Sequence, residues 1–352
     1  MIIVQIAGGL GNQMQQYALY RKLLALGRDA KIDLSWFDDP AAQANVYAKR
    51  AFELSYFREL PYEACTRQER DLLTGGAGLM GRVKRKLLPG KSSVFQETEM
   101  YHPEILERTD AYLCGYFACE KYYADILGGL RELFVFPESG DPQVREKNAA
   151  LLRQIDRENS GASESGSCGA DPMLGEGTVF GANDADHTPE QMGDQRVIPV
   201  SVHIRRGDYL DATNASLLGG ICTPAYYAGA VRALRERLDG GGADDPRFHF
   251  YIFSDDPAYA RTLHFGESEE ENTVVDWNTG RDSLLDMQLM AHCRCNICAN
   301  STFSFWGARL NPHPDKLQVR PSLHKNTQIF DAALMHDYWK GWILANREGR
   351  VV

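Results

Sequence analysis

No apolar run in this 352-residue sequence approaches the ~18 residues that cross a bilayer, so a membrane-spanning protein is not expected. The opening Met-Ile-Ile-Val-Gln-Ile-Ala has no basic stretch and no cleavage site, and reads as carrying no secretory leader. Positive charge is scarce: 38 Lys and Arg against 48 Asp and Glu give a net charge of −10. A basic nucleic-acid binder is therefore not expected. An anionic ligand must be held by a local cluster, because the overall field repels it. His292, Cys293, Cys295 and Cys298 lack a second Cys-x-x-Cys, and a strand over 294–299 sends Cys295 and Cys298 to opposite faces. They read as buried free thiols, and the eight cysteines as the reduced thiols of a cytosolic protein. What remains is ordinary for a globular chain, 43% apolar and 24% charged, with length for about two domains.

Ile2 to Ala7 reads as a strand broken by Gly8-Gly9-Leu10-Gly11. Met14, Tyr17, Ala18, Leu23 and Leu24 then recur at helical spacing, Gly27 suits the helix end, and Ala30 to Leu34 reads as a second strand. Residues 36–150 mix helical and loop patterns without a clear order. From Ser160 to Gln195 the chain turns Gly-, Ser-, Asp- and Asn-rich, a linker or surface insertion. The second half alternates strands and helices: Val197–Ile204, a helix opened by Thr223-Pro224 and closed by Gly240-Gly241-Gly242, then Phe248–Phe253. A short helix follows Asp256-Pro257; then come Thr273–Asp276, Ser283–Ala291, Arg294–Ala299, Ser301–Leu310 and Leu317–Val319. Such βα repeats predict a parallel sheet covered on both faces, with ligands at the carboxyl ends of its strands. The divisions are 1–157, a first α/β domain; 158–196, the polar linker or insertion; 197–320, a second α/β domain; and 321–352, a helical tail.

Ser201-Val202-His203-Ile204-Arg205-Arg206-Gly207-Asp208 carries the sharpest signal. Strand alternation puts His203 and Arg205 on one face at the strand end. A guanidinium fork there suits a diphosphate; the competing reading is an ion pair with Asp208. Asn300-Ser301-Thr302-Phe303-Ser304 opens a helix after an apolar strand, and its free N–H groups and hydroxyls suit phosphate, or serve as a plain cap. Ser254 and Asp255 end a strand where a base or ribose is reached, while Asp256 caps the next helix. Gly9 and Gly11 permit close backbone approach, and Asn12 and Gln13 offer sugar-hydroxyl partners. With Asp33 the glycines partly match a dinucleotide fingerprint, but Met14 stands where a small residue belongs. Asp184-Ala185-Asp186 has a metal-binding spacing inside the polar segment, without a firm preceding strand.

At Gly8 to Met14 with Gln16-Tyr17-Ala18, His203 to Tyr209, Phe253 to Asp256, and Ala299 to Ala308, the sequence resembles bacterial α-1,2-fucosyltransferases, glycosyltransferase family 11. Gln15 departs from the family's common Phe. The resemblance implies a GT-B-like α/β fold, two Rossmann-like domains facing across a cleft. It implies inverting transfer of L-fucose from GDP-β-L-fucose to the 2-hydroxyl of a galactose-containing glycan, with no metal and no cofactor. On that reading Arg205, His203 and Asp208 are catalytic. Arg206, Asn12, Ser254, Asp255, Asn300, Ser301, Thr302, Phe303 and Ser304 bind donor, and Gly9, Gly11 and Gln13 face the acceptor. Asp208 either takes the acceptor proton or only pairs with an arginine. The expected place is the cytoplasm, at the inner membrane surface if the acceptor is lipid-linked. The rival readings are an NAD(P)-dependent oxidoreductase using the glycine-rich turn, and a nucleotide- or glycan-binding protein without turnover.

Overall fold

The computed structural model describes residues 1–44, 49–76, 93–98, 101–164, 196–238 and 246–352. Asp184-Ala185-Asp186, Gly240-Gly241-Gly242 and most of the polar segment lie outside the described residues.

The first lobe is built on β1 (Ile2–Gln5), β2 (Ala30–Asp33), β3 (Val94–Gln96) and β4 (Ala111–Cys114), ordered β2-β1-β4-β3 and parallel throughout. Helices α1 (Leu10–Ala25), α2 (Arg67–Thr74) and α3 (Leu127–Leu133) belong to it. Met14, Tyr17, Ala18 and Leu23 of α1 are all fully buried. Gly27, at φ +71°, turns the chain out of that helix as expected.

The chain then forms α4 (Pro142–Glu164), β5 (Val197–Ile204), α5 (Ala212–Leu218), α6 (Pro224–Leu238), β6 (Arg247–Ser254) and α7 (Pro257–Ala260). These are followed by β7 (Asn272–Val275), α8 (Leu284–His292), β8 (Cys295–Ile297), α9 (Thr302–Leu310), β9 (Leu317–Pro321), α10 (Ala332–Tyr338) and β10 (Ile343–Ala345). Its six strands run parallel in the order β10-β9-β8-β5-β6-β7. β5 lies centrally and is buried on both faces, which is why it reads as one apolar run. Thr223 caps α6 by accepting from the Tyr226 N–H, and Asp256 caps α7 by accepting from Tyr259. Cys295 and Cys298 enter different apolar clusters, so they do face opposite ways, and both thiols are free.

Three sequence expectations need correction. The first-domain boundary at 157 falls inside α4, whose Leu151 and Ile155 pack on Tyr251 and Phe253 of the second sheet. Glu158, assigned to the polar segment, lies in that helix and accepts a hydrogen bond from Tyr251 at 2.9 Å. The tail is not all helix: β10 adds an edge strand, because Ile343, Leu344 and Ala345 bury beside β9.

The lobes are joined by a shared core. Trp306 of α9 donates to the Gly11 carbonyl at 3.0 Å and stacks on Tyr123 of the first lobe. Arg131 donates to the Arg309 carbonyl at 3.0 and 3.1 Å, and Trp342 to Glu120 at 2.9 Å. An added Cβ on Gly11 would lie 2.5 Å from Thr302 Oγ1, so only glycine lets the starts of α1 and α9 meet.

Candidate active site

A cleft of about 800 Å³ opens between the carboxyl ends of the two parallel sheets. The second lobe contributes Arg205 after β5, Ser254 and Asp255 at and after β6, Asp276 after β7, and Ser301 to Phe303 at the start of α9. The first lobe contributes Gly9 to Asn12, Arg50, Glu53 and Tyr116. That volume suits a small organic molecule held between domains.

A chain of charges crosses the cleft. Asp208 Oδ1 accepts from Arg205 Nε at 3.0 Å and Nη2 at 2.7 Å, while its Oδ2 faces Arg50 of the first lobe at 3.8 Å. Asp255 Oδ2 lies 3.0 Å from Arg205 Nη1, and its Oδ1 accepts from the Arg206 backbone N–H at 2.8 Å. Burial works against the Arg205 charge, but Asp255 and Asp208 outweigh it and hold its pKa above the ordinary value. So both sequence readings of Arg205 hold at once: it is ion-paired, and it lines the cleft. Asp208 accepts from two of its N–H groups and Asp255 pairs with the third nitrogen, which fixes the plane of the fork.

His203 is buried on β5 with its ring 5.8 Å from that of Phe303. Burial first, and Arg205 second, push its pKa down to about 3, so the imidazole is neutral near pH 7. Its Nδ1 meets no hydrogen-bond partner among the described residues, and the residue lines the cleft. The first N–H groups of α9 carry no side-chain cap at Ser301. The helix therefore presents its partial positive charge to the cleft that Arg205 also lines.

Residues 185–345 match the sequence profile described as glycosyl transferase family 11. Over that stretch the chain is similar to glycosyltransferase family 11. It is 28% identical over 333 residues to the Escherichia coli O-antigen biosynthesis glycosyltransferase WbnK, covering 90% of this chain and 92% of that one. It is 35% identical over 123 residues to an Escherichia coli alpha-1,2-colitosyltransferase; that match covers 35% of this chain and 40% of the relative's length. Among solved structures, the NodZ alpha-1,6-fucosyltransferase soaked with GDP-fucose aligns over 88% of this chain and 92% of its own, at 13% identity and a TM-score of 0.40. No helix among the described residues is long and apolar enough to cross a membrane.

The glycosyltransferase gathers Arg205, His203, Asp208, Asn12, Gly9, Gly11, Ser254, Asp255, Ser301, Thr302 and Phe303 around one cleft. Four predicted residues stand elsewhere. Arg206 turns away: its guanidinium stacks 3.7 Å from the Tyr259 ring and donates to Asp256 at 3.1 Å. Asn300 is buried and ties the end of α5 to a loop, donating to the Leu218 and His324 carbonyls. Ser304 is buried and donates to the Ser301 carbonyl. Gln13 is consumed by the fold, donating to Gly8 and Ala51 and accepting from Glu53 and Leu54. Asp33, the ribose ligand of the oxidoreductase reading, is buried; Tyr112 donates to it at 2.6 Å and Ser35 at 2.9 Å. That reading falls with it.

Arg50 and Glu53 line the cleft without having carried a sequence signal. Arg50 sits in a stretch without a motif and reaches Asp208 only through the fold. Glu53 follows the same stretch; Gln13 fixes its backbone and the Leu10 N–H donates to its Oε2 at 2.8 Å. Burial first raises the Glu53 pKa, against the opposing pull of Arg50 and the Leu10 N–H. Asp286, which also lines the cleft, is pushed up to about 8 by burial, with only an Asn278 hydrogen bond opposing. Among the described residues no three His, Cys, Asp or Glu side chains converge as metal ligands.

Gly207 shows how narrow the placement of Arg205 is. A Cβ there would lie 2.4 Å from Asp255 Oδ2. Gly207→Ala is expected to push Asp255 off Arg205 and lower kcat by about 10²-fold, with the protein still folded. Steady-state kinetics beside a melting curve check this; a variant with unchanged kcat contradicts the placement.

Proposed function

We propose that this glycosyltransferase moves L-fucose from GDP-β-L-fucose to the 2-hydroxyl of a galactose-containing glycan, inverting the anomeric carbon and using no metal. The observation that carries the reading is Arg205, held by two carboxylates in the cleft that the uncapped start of α9 also lines. The motif resemblance and the α-1,2 linkage in a relative's name support the acceptor position. Colitose is a fucose lacking one ring hydroxyl, so a close donor pocket serves either sugar.

The reaction is one in-line displacement. The bond from anomeric carbon to diphosphate oxygen breaks as the bond to the acceptor oxygen forms. Negative charge grows on the leaving diphosphate and is met by Arg205 and the N–H groups of Thr302 and Phe303. Neutral His203 lines the donor side of the cleft. Ser254 and Asp255 serve the nucleoside, and Asn12 faces the sugar.

The acceptor proton needs a base with a free lone pair. Asp208 gives one oxygen to Arg205 and turns the other toward Arg50. Glu53 lies on the first-lobe wall with one oxygen held by Leu10; its Oε1 has no partner among the described residues. Glu53 is the proton acceptor in this scheme, and Asp208 positions Arg205.

A screen of nucleotide sugars in EDTA tests the reading, with the product linkage read by NMR. The expected result is turnover of GDP-fucose to an α-1,2-linked product. Exclusive use of another donor, or a strict need for a divalent ion, overturns it.

A further inference from the structure

Four tyrosine and phenylalanine side chains line the main cleft: Tyr56, Tyr116, Tyr209 and Phe303. Three of these rings are already engaged within the protein. Arg281 lies over the Tyr56 ring at 5.0 Å, Arg205 over Tyr209 at 5.7 Å, and the His203 ring meets that of Phe303 at 5.8 Å. Tyr116 differs. It is 52% exposed, and none of the ring or cation contacts among the described residues involves it. It stands where the cleft adjoins a second cavity of about 420 Å³, on a wall common to both. A large aromatic side chain left open inside a concave site points to a ligand that covers it.

The chain around Tyr116 is clamped from several sides. Tyr116 follows β4, and Glu97, which follows β3, accepts from the Tyr116 and Phe117 N–H groups at 2.8 and 2.6 Å. Gln16 of α1 donates to the Gly115 carbonyl at 2.8 Å and accepts from the Ala7 N–H at 2.9 Å. Phe117 has φ +49°, a left-handed conformation that bulky residues rarely adopt. Its side chain is fully buried and meets the Tyr122 ring edge-on at 5.8 Å. Backbone of this kind persists only where the surroundings over-determine it, and it gathers at ligand sites. The Tyr116 ring itself leans on the glycine turn that opens α1: its Cε1 lies 3.4 Å from the place a Cβ on Gly8 would take. A ring placed before its ligand arrives loses little freedom on binding.

The position and the chemistry of the ring narrow the ligand. Arg205 and the start of α9, which meet the diphosphate in the proposed reaction, belong to the second lobe, whereas Tyr116 and Glu53 belong to the first. The face of an aromatic ring carries partial negative charge and is matched by C–H groups. The axial 4-hydroxyl of galactose leaves the C–H groups of C3, C4 and C5 together on one face of the sugar. In glucose the C4–H turns to the other face. We infer that Tyr116 is the platform on which the acceptor galactose lies by that C–H face, and that it favours galactose over glucose. Stacked in this way, the sugar points its 4-hydroxyl away from the ring and keeps the equatorial 2-hydroxyl free at its edge. The inference rests on the glycosyltransferase reading of the cleft and adds the residue that recognises the acceptor.

Binding without donor tests this separately from the reaction. Methyl β-galactoside and methyl β-glucoside are titrated into the full-length protein, with binding read by saturation-transfer NMR, and GDP is titrated calorimetrically beside them. The galactoside is expected to bind the wild type about fivefold more tightly than the glucoside. Tyr116→Ala removes an exposed ring and leaves the backbone clamp in place. It is expected to weaken the galactoside about tenfold and erase the preference, with GDP affinity as in the wild type. Tyr116→Phe keeps the ring and is expected to keep the preference. Equal affinity of the wild type for the two glycosides, or a Tyr116→Ala protein that still prefers galactoside, overturns the inference. So does a Tyr116→Ala protein that loses GDP, which puts the ring in the donor site, or a Tyr116→Phe protein as weak as Tyr116→Ala, which makes the hydroxyl the recognising group. The expected binding pattern without fucose transfer from GDP-fucose overturns the donor reading and leaves the platform standing.

Discussion

Replacing Glu53 with Gln is expected to lower kcat by about 10²-fold to 10⁴-fold, the usual worth of a positioned base. The side chain keeps its size, and its amide oxygen can still accept from the Leu10 N–H, so the loop and α1 stay as they are. The pH profile is the sharper readout. Because burial raises the Glu53 pKa, the acidic limb of kcat/KM in the wild type lies above the pH of an ordinary glutamate. A base works when deprotonated, so the rate climbs as pH rises through that pKa and falls below it. Glu53→Gln removes the limb. Asp208→Asn slows the enzyme by loosening Arg205 and keeps the limb. A Glu53→Gln enzyme that retains the acidic limb, or an Asp208→Asn enzyme that loses it, returns the proton to Asp208.

Arg205 carries the second large effect. Arg205→Ala is expected to cost about 3–4 kcal/mol of transition-state stabilisation, or ~10²–10³ in rate. The loss falls on kcat as well as on donor KM, because the charge it meets is largest as the diphosphate departs. Arg205→Lys recovers little. A single ammonium cannot hold Asp208 and Asp255 at the fork's two edges while still facing the cleft. Near wild-type turnover in Arg205→Lys contradicts a role that depends on the planar fork.

The second sheet was legible because a central parallel strand writes itself as an apolar run: Val197–Ile204 and Phe248–Phe253 need no tertiary knowledge. The first lobe was legible only to Asp33, since β3 is three residues long and only partly buried. The polar face of α4 hid its partner; Leu151 and Ile155 form a short stripe that could have docked on either lobe. At the site, motif residues at strand ends were found and roles were less readable. Arg205 and Arg206 are adjacent, yet alternation sends one into the cleft and the other onto Tyr259. Gln13 and Asn300 looked like ligand groups because they are polar among glycines and hydroxyls, but backbone atoms absorb them. Arg50 and Glu53 were invisible because their partners, Asp208 and Leu10, are distant in sequence.

In the proposed reaction a carboxylate-held guanidinium and a helix start in one cleft receive the diphosphate. Calorimetric titration of GDP and of GMP in EDTA tests it most directly, on the wild type and on Arg205→Lys. GDP is expected to bind the wild type at least tenfold more tightly than GMP without a divalent ion, and Arg205→Lys to erase most of the difference. Equal binding of GDP and GMP, or a GDP preference that Arg205→Lys leaves intact, contradicts it.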